Sequence, residues 1–530
     1  MISAGCQPAA EAGAAVLADG GNAVDAAIAA SAVQCVRELP WCGLGGDGFA
    51  LVSTSDGSVE ALNGAGAVPR ALGTASVPGG TLPRFGPLSI STPGLVGAWW
   101  RLWERHGTRP FAALIEPAAQ LADDGFALDQ AFSRALERAR GDMSASDPFV
   151  SELCEPNGTA AGDRFRLPAL ARTLREIGAE GPAGFYQGRL ARDIASAVGR
   201  LGGLLDIDDL AGHSCDFEPP LRARYGSAEV SVTPPVSMGW VLLQMLALYE
   251  ASGGRLVVDE ADRLDLMVRC KHAAFTDLSL LEQWQQCADV AHVLSRENLD
   301  RWCSFITEQR QGARAPVPAA AAARASGSDT TCLSVVDDKG TMVTFIHSLF
   351  NEFGSRVVVP GTGIVLNDRL AKQTADMGAS STPGAPRRPL HTLVGYHVAH
   401  GGRRLVGATP GGRGQVQTNF QVLRAIIDDG ASPQAAVDHP RWLSGAPRLP
   451  DADDLLFLEP GFSSGVEADL ARRGHALATD DGPATSDLFG SCTVVGIDAH
   501  AGEPTGAADH RRNAALRTVR SASAKSGADR

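Results

Sequence analysis

Apolar residues along this chain fall into helical, alternating and unpatterned stretches, and the changes between them mark its elements. Residues 8–34 are Ala-rich and break at Asp19-Gly20-Gly21-Asn22, which predicts a helix hairpin with Asn22 capping the second helix. GLGGDGFALVST (43–54) is a glycine turn running into an alternating strand. ISTPGLVGAWWRLWERHG (90–107) opens a long helical region reaching about residue 145, with Ser91-Thr92 before Pro93 as its start. Further helices fill 164–215 and end at a capping segment around Asp206 to Asp209. LRARYGSAEVSVTPP (221–235) has the β-branched and aromatic content of two strands, SMGWVLLQMLALYE (237–250) is a strongly apolar helix, and 258–312 is helical again. Over 313–329 the periodicity stops, and ARAPVPAAAAARASGSD reads as a linker. TTCLSVVDDKGTMVTFIHSLF (330–350) follows as a hairpin turning at Asp337-Asp338-Lys339-Gly340. LVGATPGGRGQ (405–415) is a second glycine turn, leading into the helix TNFQVLRAIID (418–428). From about 513 the chain is rich in Arg, Ser and Ala, which predicts a disordered tail over 513–530.

With 530 residues, 44% hydrophobic and 20% charged, the chain can bury a large core. A net charge of -13 gives a mean field that repels phosphate backbones and anionic lipid heads, so neither nucleic acid nor membrane is expected as a partner. The first thirty residues lack a basic segment followed by an unbroken apolar one, since Glu11, Asp19 and Asp25 interrupt it, and a cytoplasmic location is expected. Ten cysteines are scattered without close pairs, which suggests neither a zinc knuckle nor a disulfide framework but reduced, buried thiols.

Four patterns could carry chemistry. Gly43 to Gly48 matches G-x-G-x-x-G, but a strand follows where a dinucleotide site needs a helix, so no cofactor is expected. Gly461-Phe462-Ser463-Ser464-Gly465 matches the nucleophile elbow of serine hydrolases and follows the strand-like LLFLE; Pro460 and the short remaining chain favour a serine-capped helix start instead. His391, His397 and His400 lie in strand-like sequence rather than on one helix face, and no metal is indicated. Thr330-Thr331 at the head of a strand is ordinary for a β-branched residue. Directly after a linker it admits a sharper reading: a peptide bond cut between Asp329 and Thr330 frees a residue carrying both a hydroxyl nucleophile and an α-amine that serves as its base.

At these residues the sequence resembles the γ-glutamyltranspeptidase family of self-processing N-terminal-nucleophile hydrolases. GGNAVDAA (20–27), GLGGDGF (43–49), STPG (91–94), FYQGRLA (185–191), GGLLDIDDLAGH (202–213), TPPVSMG (233–239), TTCLSVVD (330–337), VVVPGTGIVLN (357–367), RRPLHT (387–392) and TPGGRGQ (409–415) all look like family blocks in family order. The resemblance implies an α+β fold, a four-layer αββα sandwich in which a large subunit, 1–329, and a small subunit, 330–530, interleave after cleavage, the two being each other's partners. It makes Thr330 the nucleophile and Ser348 a hydroxyl supporting it. Gly411 and Gly412 become the oxyanion-hole pair, whose N–H groups are worth roughly 3–4 kcal/mol per donor.

The substrate pocket departs from the family pattern. Phe350, Arg369 and Lys372 stand where the family places acceptors for a glutamyl ammonium, and His391 and Thr392 replace a serine pair. The arginine for the α-carboxylate is missing near Leu72 and Thr74, with Arg70 a possible substitute. Such losses argue against γ-glutamyl specificity. Arg369, Lys372 and Arg413 would suit a small substrate with a carboxylate or keto acid placed differently. The pattern resembles relatives in actinobacterial alkylproline antibiotic biosynthesis, which cut a carbon–carbon bond beside a carbonyl. The alternatives are a γ-glutamyl hydrolase or transpeptidase with an unusual pocket and, because Cys332 replaces a family histidine, an unprocessed binding or scaffold homologue.

Overall fold

The computed structural model describes all residues except 74–76, 142, 284–289, 313–328, 374–386, 446–454, 480–485, 499–501 and 520–530. The linker expected over 313–329 therefore lies outside the described residues apart from Asp329, which begins a strand.

Two antiparallel sheets organise the chain. The first has seven strands in the order Ala515–Arg517, Ile2–Ala4, Asp329–Val336, Met342–Phe350, Asp47–Ser53, Val59–Gly64, Asp216–Glu218. The second has six: Pro504–Ala508, Thr493–Asp498, Arg403–Ala408, Gly395–His400, Ala228–Val232, Leu221–Tyr225. Side chains on a strand alternate between faces, and here each face finds a different neighbour. Leu333, Val335, Val343 and Phe345 pack with Ala29, Val33 and Trp99 of the helices Ala23–Arg37 and Leu95–His106. Cys332 and Ile346 meet Leu393 and Ala408, and Val336 and Met342 meet Val406 and Val495, all from the second sheet or its flank. The second sheet's other face is covered by Gly239–Ala251, Glu260–Gln283 and Gly414–Ile427.

The helix hairpin is Gln7–Ala18 and Ala23–Arg37, and Asn22 caps the second helix in a full capping box with Asp25. The hairpin of strands 329–336 and 342–350 turns through Asp337, whose carboxylate accepts the Lys339 and Thr341 N–H groups. The long helical region splits into Leu95–His106, Phe111–Asp124 and Gln130–Arg140. Its first helix does not start at Ser91-Thr92. Gly94 takes the N-cap position with no side-chain cap, because Ser91 is spent donating from both N–H and Oγ to Asn367 Oδ1. Asp206 does cap, but at the start of the short helix Ile207–Ala211. Ser463 caps Ser464–Arg472 by accepting the Val466 N–H, so the G-x-S-x-G match is a helix start. The disordered tail expected from 513 is corrected in part: Ala515–Arg517 is a strand, held by pairing with Ile2–Ala4, and the remainder from 520 lies outside the described residues. Among the described residues no helix is long and apolar enough to cross a membrane.

Candidate active site

The glycines of 43–48 let backbones approach closely. A Cβ on Gly45 would stand 2.2 Å from the Val365 carbonyl oxygen, and one on Gly46 2.4 Å from that of Ser348. This closeness lets Asn367 anchor the loop after Ile364–Val365: its backbone N–H and its side-chain amide donate to Gly45 O, the amide also donates to Ser91 O, and its Oδ1 accepts the Arg369 N–H. The two glycine- and serine-rich blocks thus fix where Arg369 emerges.

Strand alternation then sorts the pair at the head of the Asp329–Val336 strand. Thr331 shares its face with Leu333 and points to the helix side, where its Oγ1 donates to Glu38 Oε2 at 2.9 Å and accepts from Gln34 Nε2 at 2.6 Å. Thr330 shares its face with Cys332 and turns to the gap between the sheets, where Gln415 Nε2 donates to its Oγ1 at 3.5 Å. The ladder is in register through His347 opposite Thr331, then shifts so that Phe350 pairs with Asp329. Both Ser348 and Leu349 consequently lie opposite Thr330, a bulge of the kind that re-aims side chains beside active sites. The Ser348 hydroxyl accepts the Phe350 N–H at 2.8 Å, and Phe350 sits at φ 90°, a left-handed backbone uncommon for a large side chain.

Gln415 belongs to the first turn of Gly414–Ile427, so the glycine turn just before it is brought to Thr330 by one side chain. Gly411 and Gly412 have φ of 124° and 55°, and their carbonyls accept from Gly414 and Gln415. Arg413 occupies the N-cap position of that helix.

Asp47 pairs in register with Ser348 and lies fully buried against Arg369, whose Nε donates to Asp47 Oδ2 at 3.2 Å; Asp47 Oδ1 accepts the Gly66 N–H. Burial pushes the Asp47 carboxyl up, and the Arg369 charge pulls it back. The guanidinium lies 4.7 Å over the Phe350 ring. His391 is fully buried beside Phe49, and burial, then the charges of Arg369 and Arg388, hold its imidazole well below the usual range. Thr392 is buried next to it, whereas Lys372 is exposed. Arg70 is held by Asp206, Asp208 and Asp209 and Leu72 is packed among apolar side chains, while Thr74 lies outside the described residues. The sequence reading overlooked Gln415, Asp47, Glu38 and Gln34. Only Gln415 and Asp47 had a signal, as polar members of the TPGGRGQ and GLGGDGF blocks.

One group of described residues could hold a metal ion: Cys35, Cys42 and His347, buried with donor atoms within 4.8 Å of one another, on the helix side of the sheet. Burial holds His347 neutral, down to about 3, and its Nε2 lies 3.0 Å from Gln34 Oε1.

A model of the gamma-glutamyltranspeptidase family matches residues 9–519. The chain belongs to the γ-glutamyltranspeptidase family. It is therefore an enzyme of the N-terminal-nucleophile hydrolase type. This family member is 30% identical over 517 residues to the glutathione hydrolase-like YwrD proenzyme of Bacillus subtilis (strain 168), with 96% of each chain covered. It is 31% identical over 483 residues to the oxamate amidohydrolase proenzyme of Klebsiella pneumoniae subsp. pneumoniae, covering 87% of this chain and 88% of that one. The crystal structure of cephalosporin acylase from Bacillus halodurans superposes with a TM-score of 0.85 at 27% identity, covering 98% of this chain and 96% of that one.

Asp368, next to Arg369, offers a pH test. Its carboxylate accepts the Asn351 backbone and side-chain N–H groups, yet burial raises it to about 7. Because the folded value lies above the unfolded one near 3.8, its contribution is complete in acid and drains away as pH rises through about 7. Asp368→Asn, which keeps the shape and cannot ionise, is expected to melt higher than wild type at pH 8 by at least about 2 °C, with the gap closing toward pH 5 in paired thermal melts.

Proposed function

We propose that this γ-glutamyltranspeptidase-family chain activates itself by cutting between Asp329 and Thr330 and then uses Thr330 to transfer acyl groups of a small substrate that is not a standard γ-glutamyl amide. The observation that carries this reading is the placement of Thr330: at the start of a strand, facing the gap between the sheets, bonded to Gln415 and opposed by the Ser348 bulge. In maturation the Thr330 hydroxyl attacks the Asp329 carbonyl carbon, the C–N bond breaks to release the Thr330 amine, and water hydrolyses the resulting ester. In turnover the freed amine takes the Oγ proton as the hydroxyl attacks a substrate carbonyl. The leaving group departs with a proton, and water or an amine resolves the acyl ester. Ser348 supports the nucleophile, and the Gly411 and Gly412 N–H groups receive the charge developing on the attacked oxygen.

On this reading 1–329 and 330–530 are the two subunits of a four-layer αββα sandwich in the cytoplasm, and Phe350, Arg369, His391 and Thr392 line the acyl pocket. Phe350 and Arg369 offer no acceptor for a glutamyl ammonium, which favours a specialised substrate, cut at an amide or C–C bond beside a carbonyl as in alkylproline antibiotic biosynthesis. A glutathione-type amide is the second reading, favoured by the resemblance to a glutathione hydrolase-like proenzyme. Intact-mass analysis and N-terminal sequencing of the purified protein test the proposal. Two polypeptides, the smaller beginning Thr-Thr-Cys-Leu-Ser, are expected; an unbroken chain overturns the reading and favours a binding protein.

A further inference from the structure

Arg369 presents two edges. The Nε edge is committed to Asp47, but Nη1 and Nη2 have no hydrogen-bond partner among the described residues although the side chain is completely buried. A buried donor without a partner forfeits its solvation, and a charged group forfeits more, so two on one guanidinium form an edge suited to a ligand. Beside it, His391 is equally buried with neither ring nitrogen bonded among the described residues. The Phe350 ring lies against the guanidinium, and the Asp47 pairing opposite Ser348 puts this edge on the same side of the sheet as Thr330.

The two carboxylates nearest this edge are already engaged. Asp47 receives Gly66 and Arg369, and Asp368 receives Asn351 twice. What this edge presents is thus a set of donors: two parallel N–H groups and a neutral imidazole that can donate from one nitrogen. A carboxylate fits that geometry by accepting two bonds in the plane of the guanidinium, whereas an ammonium placed there meets a like charge.

We infer that the acyl group this enzyme transfers carries a carboxylate of its own, gripped by the Nη1–Nη2 edge of Arg369 with His391 beside it, so that the substrate is the monoamide, or equivalent carbonyl compound, of a short dicarboxylic or keto acid. This rests on the acyl-transfer reading above. Placing the acid arm on Arg369 aligns the other carbonyl with Thr330, and arm length sets which member of a series reacts.

The test uses the purified, self-cleaved protein with 4-nitroanilides of oxalic, malonic, succinic and glutaric monoacids, each beside the neutral acyl anilide of equal length. One acidic member is expected to exceed its neutral counterpart in kcat/KM by at least about tenfold, a preference that Arg369→Met removes and Arg369→Lys restores in part. Independently of turnover or of the variants' folding, the matching free dicarboxylate is expected to raise the melting temperature of the wild type, with inorganic phosphate giving no such rise. Equal turnover of acidic and neutral members overturns the inference, as does the absence of protection by every dicarboxylate or equal protection by phosphate. A chain that cleaves itself and hydrolyses neither series counts against the acyl-transfer reading instead, and the melting assay then decides the carboxylate site by itself.

Discussion

Thr330→Ala is expected to leave a single unbroken chain and to lower acyl-transfer activity at least about 10³-fold. Both losses have one cause. The Oγ that would attack the Asp329 carbonyl is the same atom that would attack substrate, and no other described hydroxyl occupies its place opposite the bulge. Thr330→Ser separates chemistry from packing, since it keeps the oxygen and removes the methyl that restricts χ1. It is expected to yield both polypeptides, more slowly than wild type. Intact mass over a time course reads maturation, and turnover of a chromogenic anilide reads the second step. Cleavage in the alanine variant would remove Thr330 from the mechanism.

Gly411→Ala is expected to cost the mature enzyme about 10²–10³ in kcat, or roughly 3–4 kcal/mol. The reason is backbone geometry rather than space. A Cβ there would find nothing nearer than Gly490 Cα and the Leu488 carbonyl oxygen at 4.0 Å, but a φ of 124° is one that an L-residue rarely adopts. Alanine must rotate away, which turns the Gly411 N–H from the position where charge would develop. Gly412, at φ 55°, lies in the region that other residues visit at a cost of about 1 kcal/mol, so Gly412→Ala is expected to lose less. Steady-state kinetics of the two variants, with maturation checked by mass, gives the comparison. Equal small losses would show that this turn does not bind the reacting oxygen.

Elements whose pattern is local were legible in the sequence. The helix hairpin, the strand after GLGGDG, the 329–350 hairpin and the glycine turn before Gly414–Ile427 each depend on neighbours within a few residues. Features created by pairing across hundreds of residues were not. Arg369 could be noticed as an unusual residue, but its Asp47 partner stands 322 positions away, and the Glu38–Thr331 contact spans 293. Ser91 looked like a helix start because serine caps helices; the competing acceptor, Asn367, is 276 residues distant. Ala515–Arg517 is three residues long with no periodicity to read, and it is a strand only because Ile2–Ala4 offers it an edge. Lys372 and Arg369 were equivalent as cations in the sequence, and burial alone separates them.

The order of the seven-stranded sheet has a consequence for anything cut before Thr330. Ala515–Arg517 lies outside Ile2–Ala4, which lies outside Asp329–Val336 and Met342–Phe350, followed by Asp47–Ser53 and Val59–Gly64. The pieces on either side of the cut would therefore be interdigitated like fingers of two hands, each holding strands that the other flanks. Such an arrangement would form most readily while the chain is continuous. Scission would then act as a ratchet: uncut protein unfolded in denaturant should find its way back, whereas a cut form, once its halves had drifted apart, should not.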